Sequence, residues 1–102
     1  MSEYNLKIVP TDPVRARNYP ELIALSDEGR IRLGASEPLS EAETSVWERR
    51  ICALLTDRER EFFLKPYQGT ELSGDLAIIG RMDHLRKILL ARHGIVTDPS
   101  LR

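Results

Sequence analysis

SEAETSVWERRICALL, residues 40–55, is the stretch that decides the fold. Ser40 followed by Glu43 has the capping-box spacing, in which hydroxyl and carboxylate each accept an exposed backbone N–H at a helix start. Pro38 stands just upstream, where it cannot interrupt the helix. Ala42, Val46, Trp47, Ile51, Leu54 and Leu55 then recur at helical spacing and predict one buried face. A helix with such a face needs neighbours to cover it, and both flanks offer them.

Downstream, Thr56 and Glu59 repeat the capping-box spacing. Either a second helix restarts there and carries Phe62 and Phe63, or the first continues to Leu64. Pro66 ends both versions. Residues 68–70 read as a loop, and a last helix is expected from about Leu72 to His93. Gly94 supplies the left-handed position beyond that helix, and Ile95 the hydrophobic contact that accompanies such a stop. Gly80, inside the last helix, costs about 1 kcal/mol relative to alanine. It reads as a tolerated glycine or as the site of a close helix crossing.

Upstream, Leu6-Lys7-Ile8 alternates until Pro10, Thr11, Asp12 and Pro13 halt it. Pro20 to Leu25 reads as a short helix with Gly29 as its far cap. Arg30-Ile31-Arg32-Leu33 alternates again, so the two alternating pieces are expected to pair as a small two-stranded ribbon. The fold class is therefore mainly α: a small single-domain bundle of three to four helices. Residues 1–38 form an irregular or β-ribbon part plus a short helix, 39–95 the helical core and 96–102 a tail.

Composition narrows the function classes. In 102 residues, 41% are hydrophobic and 30% charged, which excludes a disordered or membrane-embedded chain. Fifteen Lys+Arg against sixteen Asp+Glu leave a net charge of -1, without the basic excess of many nucleic-acid binders. Cys52 is the single cysteine, so no internal disulfide is available. The N-terminus lacks a basic region followed by an apolar run, and the apolar runs fall far short of the roughly 20 residues of a bilayer span. A soluble, cytoplasmic protein without membrane contact is expected.

No catalytic or metal-binding pattern emerges. Gly69, Gly74 and Gly80 match neither a phosphate-binding loop nor a dinucleotide-binding turn. His84 and His93 lie nine residues apart on one helix and so on opposite faces, unable to chelate one ion. They read as exposed or helix-ending side chains. Cys52, among Ile51, Ala53 and Leu54, reads as a small buried hydrophobe. Acid pairs such as Asp57 with Glu61, or Glu71 with Asp75, suit the first turns of helices. The expectation is a non-enzyme with no metal, cofactor or catalytic residue.

Leu55-Thr56-Asp57-Arg58-Glu59-Arg60-Glu61 resembles the opening of the LuxR-type DNA-binding domain, which typically reads L-T-x-R-E-x-E. Gln68-Gly69 stands where that family has a similar pair. Ser73 to Ala77 is loosely similar to the start of its scaffold helix, and His84 to Ile95 to its closing helix. The resemblance covers roughly residues 55–95 and implies a helix-turn-helix. Between Ala77 and His84, however, about six residues of the family pattern are absent, where the turn and the start of the recognition helix belong. Pro66 also falls inside the family's first helix. No base contact therefore carries over to any residue here.

Two binding hypotheses remain. On a helical wheel from Leu72, Met82, Leu85, Ile88 and Leu89 span about 160° to 280°, while Leu90 falls near Ile79 on another side. The last helix is thus apolar on more than one side, either as a central helix or as one shared with a partner or second copy. The leading expectation is a small adaptor, inhibitor or regulatory subunit that binds a protein or self-associates. Its contact surface would use Arg81, Leu85, Ile88, Leu89 and Arg92, with Trp47 as a further anchor. The alternative is a DNA-binding regulator meeting phosphates through Arg58, Arg60, Arg81, Arg86, Lys87 and Arg92. The four of these on the last helix scatter around its axis.

Overall fold

The computed structural model of the chain describes residues 6–34, 40–67 and 74–102. Their order is α1 (Pro13–Ala16), α2 (Tyr19–Leu33), α3 (Glu41–Cys52), α4 (Asp57–Leu64), α5 (Asp75–Arg92) and a closing 3-10 turn, Pro99–Leu101. No strand occurs among the described residues. The radius of gyration, 13.3 Å, matches one compact domain of about 100 residues. No helix among the described residues is long and apolar enough to cross a membrane.

Both capping boxes form. Ser40 Oγ accepts the Glu43 amide at 3.2 Å, and Glu43 Oε1 accepts the Ser40 amide at 3.3 Å. Thr56 and Glu59 repeat the exchange at 3.2 and 3.0 Å, so the chain breaks after Cys52 and a second helix restarts. The corner between them would expose orphan carbonyls. Arg60 instead donates to the Cys52 and Leu55 carbonyls, and Asn18 Nδ2 to that of Leu54. Beyond α5, Gly94 adopts φ 89°; its amide bonds to the Ala91 carbonyl and that of Ile95 to Leu90, the expected left-handed stop.

The front third departs from expectation. Arg30–Leu33 is the last turn of α2, not a strand, and Leu6–Ile8 forms turn and bend, so the ribbon does not exist. Gly29 does not end the helix; it is buried within it. A Cβ there would lie 2.6 Å from Trp47 Cζ2 and 3.1 Å from Cε2. The glycine therefore serves packing: it lets the α3 indole lie directly on the α2 backbone, and α2 runs on to Leu33. The residues expected as a tail also take part, since the 3-10 turn packs on α4 and Leu101 is partly buried against the core.

α5 is the central helix, lying against α2 and α4, while α3 closes over α2. Leu85, Ile88, Leu89 and Leu90 are all at most 1% exposed. Leu85, Ile88 and Leu89 meet Tyr19, Leu22, Ile51, Phe62 and Phe63 in one core. The apolar side of α5 that carries Leu85, Ile88 and Leu89 is thus covered within a single chain, while Leu76 and Ile79 near its start are 60% and 48% exposed.

Candidate functional site

The residues expected to meet a protein partner are mostly interior. Leu85, Ile88 and Leu89 belong to the core, which removes them from any surface of the single chain. Trp47 is 3% exposed and donates its Nε1–H to the Leu25 carbonyl at 2.9 Å. Arg81 bonds Glu48 at 2.6 Å and the Phe63 and Lys65 carbonyls at 3.0 and 3.2 Å, tying α5 to α3 and to the end of α4.

Arg92 is 7% exposed. It grips both Glu59 oxygens, at 3.0 and 2.7 Å, and donates to the Arg17 and Leu54 carbonyls. Burial pushes the Glu59 carboxyl up, but hydrogen bonds from Arg92 and Thr56 outweigh it and hold the group below its ordinary range. This fork of charge-assisted bonds acts as an internal strut between α5, α4 and the segment before α2.

The six basic residues of the DNA-binding alternative fare similarly. Arg60 and Lys87 pair with Asp57 and Asp83, and Arg81 and Arg92 are held as described. Arg58 and Arg86 are exposed without an ion pair among the described residues. Four of the six cations are therefore engaged inside the chain and do not form a free phosphate-facing stripe. Gln68, Gly69 and Ser73 of the partial helix-turn-helix resemblance lie outside the described residues.

The titratable core groups have structural partners. His84 is neither exposed nor helix-ending: it is 3% exposed, with Nδ1 3.3 Å from the Phe63 carbonyl and its ring between Phe62 and Tyr67. Burial pushes its pKa below the ordinary value. Its place beside Leu85 is legible in the periodicity; only the polarity of an imidazole argues against that face. His93 does end the helix, edge-on to the Tyr19 ring at 5.2 Å. Burial raises the Cys52 thiol pKa, which disfavours the thiolate needed of a nucleophile.

A cleft of about 290 Å³ lies open between α2 and α3. Ala42, Val46 and the edge of Trp47 form its apolar floor. The sequence pattern counts Ala42 and Val46 in the buried face, yet Ala42 is exposed and Val46 is 45% exposed. They form a stripe one position beside Trp47 and Ile51. On the α2 side the cleft is lined by Glu28 and Arg32. Two interhelical ion pairs frame the cleft, Arg32–Glu43 at 2.8 Å and Arg50–Glu28 at 2.9 Å. A second cleft, of about 320 Å³ beside α4, is lined largely by Arg58, Glu61, Lys65 and Ser100, with Phe62 its apolar element.

Comparison of the chain with protein-family models, curated proteins and solved structures returns no match.

Proposed function

We propose that this chain is a small non-enzymatic binding module that engages a protein through the α2–α3 cleft. The observation that carries this reading is the apolar floor of Ala42 and Val46 left open between two ion pairs. An apolar centre with a charged rim is the usual anatomy of a protein contact. The occupant is a protein surface that presents an apolar side chain flanked by both signs of charge. The proposed surface thus moves from α5 to α2–α3, because Leu85, Ile88 and Leu89, the α5 residues expected to make the contact, are consumed by the core.

A photoreactive residue at Val46 tests this in extract, followed by identification of the crosslinked protein and reconstitution with purified components. Covering the exposed half of Val46 is worth roughly 1 kcal/mol, and placing a guanidinium there costs more, so Val46→Arg should weaken the complex at least about tenfold. Unchanged binding by Val46→Arg and Ala42→Arg would refute the cleft as the contact.

A further inference from the structure

We infer that the occupant of the α2–α3 cleft is a second copy of this chain; the inference rests on the reading of that cleft as a protein contact. Its basis is the arrangement of four charges. α2 carries Glu28 and, one turn on, Arg32; α3 carries Glu43 and, two turns on, Arg50. The pairs Glu28–Arg50 and Arg32–Glu43 show that the two helices run antiparallel, so the signs form a checkerboard around Val46.

Two identical faces meet through a two-fold axis lying in their shared plane. With the axis along the helices, Glu28 faces Arg50 of the second copy, and Arg32 faces its Glu43. With the axis across the helices, Glu28 faces the second Arg32, and Arg50 the second Glu43. Every charge meets its opposite in either arrangement, with Val46 between them. The four rim charges sum to zero, and the whole chain carries only -1, so two copies meet without strong net repulsion. The product is a two-layer, four-helix contact.

Sedimentation velocity on the full chain, from about 5 to about 500 µM, decides the matter over the range such contacts occupy. The weight-average mass should rise from 11.6 kDa towards twice that value. Val46→Arg should lower the association constant at least about tenfold. Arg50→Glu should also weaken it, since the new carboxylate then faces Glu28 or Glu43 of the other copy. Circular dichroism must show both variants folded; Val46→Ser, which keeps the cleft neutral, serves as a second apolar deletion if either fails. A wild-type chain that stays at 11.6 kDa throughout overturns the second copy. So does an association indifferent to Val46 and Arg50. In either case, Val46-dependent binding of a different purified protein would leave the cleft reading standing, and its absence would remove both.

Discussion

Replacing Gly29 with alanine tests the contact that shapes both the core and the cleft. The new Cβ would stand 2.6 Å from Trp47 Cζ2, 3.1 Å from Cε2 and 3.3 Å from Met82 Sδ. The thioether can yield by rotation. The indole cannot move far, because its Nε1–H is bonded to the Leu25 carbonyl and its edge packs against Phe63. Overpacking of this kind costs about 1–3 kcal/mol. Removing a glycine from a helix interior returns about 0.5–1 kcal/mol, leaving a net loss of up to about 2.5 kcal/mol. In a domain of this size each kcal/mol is worth about 4–8 °C in Tm. Gly34→Ala is the matched control: it also removes a glycine with a helix-like backbone, yet among the described residues its Cβ would meet nothing closer than 3.7 Å. Urea unfolding followed by the fluorescence of Trp47, the single tryptophan, reads both variants on the group in question. Gly29→Ala should also shift the native emission, as the indole is pushed towards the cleft. A Gly29→Ala variant as stable as Gly34→Ala, with unchanged emission, would refute the close α2–α3 crossing and the cleft geometry built on it.

Two further outcomes follow from the polar interior. Arg92→Met should cost about 3–5 kcal/mol, because it strands the Glu59 carboxylate in a partly buried site. The folded-state pKa of Glu59 is depressed, so its contribution is present above its unfolded value of about 4.5 and lost as pH falls through the folded pKa. In urea titrations, wild type and Glu59→Gln should therefore converge in acid; a gap that persists unchanged at low pH contradicts the strut. His84 has a folded pKa below its unfolded 6.5, so its folded state resists protonation. Stability should begin to fall as pH drops below that value and stop falling below the folded pKa. An NMR titration of the His84 ring with a midpoint at or above 6.5 would contradict its burial.

Local rules read the helix starts well because each involves residues three apart. Ser40 with Glu43, Thr56 with Glu59 and the Gly94–Ile95 stop all close between residues at most five apart, and all stand as the spacing implies. The front third failed for a tertiary reason. Gly29 followed by Arg30-Ile31-Arg32-Leu33 has the local form of a helix end and a strand. Only Trp47, eighteen residues on, supplies the reason for a glycine inside a helix. The arginines failed in the same way. Arg92 counts as a surface cation by local charge, whereas its acceptors Glu59, Leu54 and Arg17 lie 33, 38 and 75 residues away. No window along the chain contains that information.

The position of α5 connects these outcomes to function. A central helix apolar on several sides needs cover on each, and in a chain of 102 residues most of the large apolar side chains go to providing it. The carbonyls freed where α3 turns into α4, and where α4 ends, then need donors, and Arg60, Arg81 and Arg92 serve there. The same demand that assembles the core thus withdraws the anchors and much of the positive charge that a sequence reading assigns to recognition. α3 enters the core through its Trp47–Ile51 side, and its adjacent Ala42–Val46 stripe remains open. A contact on that stripe leaves the fold undisturbed, since no side chain must leave the core to make it.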